Sequence, residues 1–142
     1  MPVSLEFSVS HQYSSSAEGI EVPVTLRIGG QSVDLIAKLD TGAAHCIFDR
    51  RYAEMLGLDV ESGRLQRFRT ATGSFAAYEH EVTLETLGIG FSAVVFFAQD
   101  PAFTWNFLGR TGWLNRLRVA IVDYDLALYL GAYDSGRPPR AR

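Results

Sequence analysis

Apolar and polar residues alternate early in the chain. Val3, Leu5, Phe7 and Val9 interleave with Ser4, Glu6, Ser8 and Ser10, and this period of two predicts a half-buried strand because successive strand side chains point to opposite faces. His11 to Gly19 carries three serines and a glycine and predicts a mobile connection. Val22, Val24, Leu26 and Ile28 then share one face, Gly29-Gly30 supplies a tight turn, and Val33 to Leu39 returns as the second strand of a hairpin. That strand ends at Asp40-Thr41-Gly42, where a chain leaving regular pairing projects side chains into a cleft.

The rest of the chain predicts mostly strands. Asp49 is placed to cap a short helix through Tyr52, Ala53, Met55 and Leu56, with Gly57 as its left-handed stop. Arg67 to Thr72, a Gly73-Ser74 turn and Phe75 to Leu87 predict a long hairpin, with Tyr78, His80, Val82 and Leu84 inward and Glu79, Glu81 and Glu85 outward. Phe91 to Ala98 is an unbroken apolar run, the pattern of a strand covered on both faces, and a loop follows from Gln99 to Asn106. A short helix is expected around Thr111 to Leu117, and then a last hairpin from Val119–Val122 and Leu126–Leu130 around Asp123-Tyr124-Asp125.

Composition narrows the classes. With 142 residues, 47% apolar and 20% charged, one core of substantial size is expected. We place it at residues 20–131, after an N-terminal strand and linker (1–19) and before a flexible Pro- and Arg-bearing tail (132–142). A formal charge of -3 offers no broad cationic surface, so nucleic acid is not an expected partner. No apolar run approaches the roughly 20 residues of a spanning helix, and no basic stretch leads into an apolar signal core. A cytoplasmic protein without membrane contact is the expectation. The single cysteine, Cys46, and the scattered His11, His45 and His80 show no ligand spacing, so no metal site is expected.

Two glycine-bearing corners carry the candidate chemistry. Leu39-Asp40-Thr41-Gly42-Ala43 follows an apolar strand, and Phe107-Leu108-Gly109-Arg110 follows a later strand and loop. Asp-Thr-Gly alone is a weak signal and reads more simply as a polar turn. Its surroundings change that reading: a hairpin ahead, a helix behind, a glycine-bearing hairpin next and the second corner near the C-terminus. Together these features resemble the retroviral-type, retropepsin-like aspartic proteases from about Val22 to Leu130. Val24 to Gln31 is similar to the hairpin before their active-site loop, Arg69 to Ser74 to their flap, and Phe107 to Arg110 to their apolar-apolar-Gly-Arg corner.

The resemblance implies an all-β fold, a closed acid-protease barrel with one or two short helices, active as a homodimer on a polypeptide substrate without cofactor or metal. It implies Asp40 as the catalytic carboxylate, Thr41 as the residue bonding across to the partner loop, and Gly42 as the point of close backbone approach. Ala43, Ala44, Ala71, Thr72 and Gly73 are then expected along the substrate, and Trp105 and Phe107 as pocket walls suited to apolar residues. Two facing carboxylates hold one proton between them, so that one serves as base and the other as acid toward a shared water. The chain departs from the family pattern where Ala44 replaces a common acidic residue, which leaves Arg110 needing another partner. Its flap also lacks several glycines, and Thr70 stands where pepsin-like enzymes carry tyrosine.

Rival readings are weaker. Neighbouring His45 and Cys46 point to opposite sides of an extended segment and cannot form a thiolate pair, and His80 lies on an apolar strand face as structural histidines do. An aspartyl-phosphate mechanism commonly sets a second aspartate where Gly42 stands. The arginines of the tail read most simply as a solvated end. The alternative of another class is a non-catalytic protease-like domain that binds peptide or scaffolds a partner, and a monomeric barrel holding a small ligand is a further one.

Overall fold

Gly29, at φ +57°, turns the first hairpin where its sequence predicts, pairing Ile28 with Gln31. The computed structural model describes residues 1–133. It contains β1 (Val9–Gln12), β2 (Glu21–Ile28), β3 (Gln31–Leu39), β4 (Ile47–Phe48), α1 (Arg50–Met55), β5 (Arg64–Thr70), β6 (Gly73–Thr86), β7 (Ile89–Ala98), β8 (Phe107–Leu108), β9 (Leu117–Val122) and β10 (Ala127–Ala132). A seven-stranded sheet runs β2-β3-β8-β4-β7-β6-β5, and a further β2–β6 pairing brings its order back to β2. A three-stranded sheet, β1-β10-β9, covers the chain ends. The all-β architecture with short helices is as expected. No described helix is long and apolar enough to cross a membrane.

The core follows the alternation. Val22, Val24 and Leu26 of β2 and Val33, Leu35 and Ala37 of β3 are buried, as are Val82 and Leu84 of β6. Leu128 and Leu130 carry the terminal sheet into the same core, and each such leucine contributes roughly 1.5–3 kcal/mol of burial. Asp49 is fully buried and caps α1, its carboxylate accepting from the Arg51 backbone N–H and Nε at 2.9 Å each. Gly57, at φ +75°, follows the helix as expected.

Several expectations are corrected. The N-terminal strand is Val9–Gln12, not Val3 to Val9, and Val3 and Leu5 are 85% and 51% exposed. Alternation marks a segment able to form a strand, but a ladder partner decides whether it does, and β10 pairs only from Val9 to Gln12. The expected mobile connection therefore begins in regular structure, and Tyr13 within it is buried, its hydroxyl donating to Asp123 Oδ1 at 2.6 Å. β7 is covered throughout only from Val95 to Ala98, because Ser92 and Val94 reach solvent. The helix expected at Thr111 to Leu117 shrinks to one 3-10 turn, Leu114–Arg116, since Leu117 enters β9. β10 runs through Ala132, one residue into the expected tail, and residues 134–142 lie outside those described.

The β5–β6 hairpin also turns elsewhere. Thr70 pairs with Gly73, so its two-residue turn is Ala71-Thr72 and Gly73, expected in a Gly73-Ser74 turn, instead opens β6. The shift sets Phe68 opposite Phe75.

Candidate active site

One parallel register and one antiparallel register build the site. β8 lies beside the end of β3, Lys38 against Phe107 and Leu39 against Leu108, and also beside β4 through Ile47 and Phe107. The Asp40 N–H continues the first ladder by donating to the Leu108 carbonyl at 2.9 Å. The loop then closes on itself: Gly42 N–H donates to Asp40 Oδ1 at 2.9 Å and Ala43 N–H to the Asp40 carbonyl at 3.1 Å. A backbone donor on a carboxylate oxygen fixes the rotamer without neutralising the acid. On the far side, Arg110 and Thr111 N–H groups donate to the Ala43 and Ala44 carbonyls, each at 2.9 Å.

Gly109 is required by this crossing. A Cβ there would lie 2.7 Å from the Ala43 carbonyl oxygen and would collide with that of His45. The two corners singled out in the sequence are thus brought together by backbone, and Gly109 N–H meets Cys46 Sγ at 3.4 Å beneath them. Asn106 supplies a further brace that sequence reasoning missed. Its side-chain oxygen accepts from Asp49 N–H at 3.0 Å, its amide donates to Ile36 O at 3.2 Å, and its carbonyl accepts from Lys38 N–H at 2.9 Å. One loop residue so ties α1, β3 and the wall segment, a role with no local sequence signal.

The predicted residues divide by exposure. Asp40 is half-buried, Thr41, Gly42 and Ala44 are exposed, and Ala43 is half-buried. Ala71, Thr72 and Gly73 form the exposed tip of the β5–β6 hairpin. Trp105 is 59% exposed and Phe107 half-buried, their ring centroids 6.4 Å apart. Arg110 is exposed and forms no ion pair with a described acid. Thr41 bonds no described residue through its hydroxyl.

The rival chemistry fares differently. Cys46 is fully buried, and that burial pushes its thiol up to about 12, so the nucleophilic thiolate is suppressed. His80 Nε2 meets the Val60 carbonyl at 2.8 Å, a structural bond. Among the described residues no group of three or more His, Cys, Asp or Glu is placed to hold a metal. A depression of about 470 Å³ lined by Pro23, Ile36 and Leu87 lies on the outer face of β2 and β3 and includes none of the predicted site residues.

An aromatic wall runs on from His45, just beyond the loop, and is wider than the Trp105 and Phe107 expected from sequence. His45 lies 4.9 Å from Phe96 and 5.8 Å from Phe68, edge to face in both cases. Phe68 stacks on Phe75 at 5.3 Å, and Phe75 meets Phe103 at 5.0 Å. Phe103 continues to Trp105 at 5.7 Å. Only the register of Phe68 opposite Phe75 signals this wall, and a turn misplaced at Gly73-Ser74 hides it.

Comparisons with known proteins bear on the family and the fold. Residues 24–102, which include the Asp40 loop, α1 and the β5–β6 hairpin, match a family model described as aspartyl protease. No curated protein matches the sequence. A retropepsin-like aspartic protease from Rickettsia conorii superposes with a TM-score of 0.61 at 17% identity, covering 86% of this chain and 96% of that one. EIAV protease complexed with the inhibitor HBY-793 superposes with a TM-score of 0.50 at 19% identity, covering 68% and 86%. The fold shared with both is the retropepsin-like one.

Proposed function

The chain belongs to the aspartyl protease family, and from that membership we propose an endopeptidase of homodimeric type in which Asp40 of two subunits activates one water against a peptide carbonyl. The observation that carries this reading is the single carboxylate of the loop. Residues 40–44 hold one acid, Asp40, anchored by Gly42 N–H at 2.9 Å. Acid–base hydrolysis of an amide by carboxylates needs two, one ionised to take a proton from water and one protonated to stabilise the developing oxyanion. A second copy related by a two-fold axis supplies the other.

Backbone groups of Ala43, Ala44 and the flap tip then hold an extended polypeptide, and Trp105 and Phe107 receive apolar side chains beside the cut. The exposed Thr41 hydroxyl, unbonded to any other described residue, is placed to bond the partner loop and hold the two acids in register. An open surface at Asp40 is consistent with half a cleft. Neither a metal nor an organic cofactor has a step to perform.

The test is Asp40→Asn. Asparagine keeps an oxygen able to accept from Gly42 N–H, so fold and association persist, while cleavage of an unfolded protein substrate falls by about 10²–10⁴-fold or more. Sedimentation of the unaltered protein at micromolar concentration should show a dimer. Undiminished cleavage by the asparagine variant, or turnover by a strict monomer, refutes the assignment. Binding of a tetrahedral-intermediate mimic without any cleavage favours a peptide-binding domain instead.

A further inference from the structure

The flap is a ribbon with little to hold it. β5 pairs only with β6, and β6 pairs with β7 only from Ala77 onward, with Gln99 N–H donating to the Ala76 carbonyl just before it, so Gly73 to Phe75 and their β5 partners form a two-stranded projection. Such ribbons are marginally stable alone. Along β5 every side chain is exposed except Phe68, and on the opposite strand Phe75 is half-buried beside it. These two rings fasten the ribbon to the body of its own chain.

They do so on two sides of the cleft. Phe68 meets His45, five residues beyond Asp40, and the almost fully buried Phe96 of β7 at 5.8 and 5.1 Å. Phe75 meets Phe103 of the wall loop at 5.0 Å. Ile47, Ala77 and Phe96 form the buried base of this group, a cluster separate from the main core. His45 contributes a ring whose Nδ1 is buried without a hydrogen-bond partner, so its place is set by ring packing.

We infer that Phe68 and Phe75 form an intrasubunit aromatic latch that holds the flap down over the Asp40 loop when no substrate is bound, and that peeling these rings from His45, Phe96 and Phe103 is the opening step that admits a polypeptide. The inference rests on the proposed protease reading for what the lid covers. Its physical content does not depend on turnover. Phe75 bridges flap and wall, so flap closure becomes a property of one chain, set before any partner or peptide arrives.

Amide hydrogen exchange of the unliganded protein tests this directly. In Phe75→Ala, amides at positions 66–76 should exchange about tenfold faster, since two ring contacts are lost, while amides of β2 and β3 keep their rates. Phe103→Ala, outside the flap, should speed the same amides by less, and the double variant should add little to Phe75→Ala alone, because the Phe75–Phe103 contact is already gone there. Phe75→Leu, which retains apolar volume, should restore part of the protection and serves if the alanine variant folds poorly. The latch is overturned if flap amides of the unaltered protein exchange at unstructured rates, if Phe103→Ala leaves them unchanged, or if the two alanine effects simply add. Protection lost as expected in a protein that cleaves nothing would keep the latch and remove the protease reading, so the two can fail separately.

Discussion

Gly109→Ala should be among the most damaging single-methyl additions in this protein. The added Cβ would sit 2.7 Å from the Ala43 oxygen and would meet the His45 oxygen as well, whereas such carbon–oxygen contacts normally begin at about 3.3 Å. Both obstacles are backbone, so no side chain can rotate away. Relief requires the 43–45 segment to move by about an ångström at the His45 carbonyl, which strains or breaks the Arg110–Ala43 and Thr111–Ala44 hydrogen bonds, each 2.9 Å long. Overpacking costs about 1–3 kcal/mol and each lost hydrogen bond about 1 kcal/mol. The sum, about 3–5 kcal/mol, is a large part of the stability of an ordinary domain and corresponds to a fall in Tm of about 10 °C or more. Thermal and urea melts followed by the fluorescence of the fully buried Trp113 would measure it. Activity should fall further than stability accounts for, because Leu108, whose carbonyl holds the Asp40 N–H, adjoins the altered residue. Gly30→Ala is the control: nothing lies within 4 Å of its would-be Cβ, and its Tm should change by less than about 3 °C. A Gly109→Ala protein that melts within about 2 °C of the parent would show that the two corners are not rigidly crossed.

Cys46 should resist thiol reagents at pH 8 in the folded protein and react once after denaturation, since burial holds its thiol up to about 12; rapid labelling with loss of cleavage would revive a thiol mechanism. Tyr13 is raised to about 12, chiefly by its hydrogen bond to Asp123 and secondarily by burial and the nearby charge. Its folded value lies above the unfolded one, so the protonated phenol stabilises the fold fully below about pH 10 and that contribution is lost as the pH climbs toward 12. The stability difference between the parent and Tyr13→Phe should therefore shrink across that window, and a difference independent of pH would sink the assignment.

Much of this protein is legible in its residues. The apolar alternation of Val22 to Leu39 placed a hairpin and its buried face, the Asp49 cap and Gly57 stop bounded α1, and Asp40-Thr41-Gly42 and Phe107-Leu108-Gly109 stood out as the two corners. These are local matters: which face is apolar, which backbone angles a glycine permits, which side chain satisfies a helix end. What the tertiary structure decided is which segments find partners. Val3 and Leu5 alternate as well as Val9 does, yet β10 offers a ladder only from Val9 onward. A two-residue shift of the β5–β6 turn paired Phe68 with Phe75 and so created an aromatic wall that no residue announces alone. Asn106 and Gly109 act through contacts with segments distant in the chain. Sequence carries the preferences of each segment; only the closed set of pairings selects among registers that those preferences leave nearly equal.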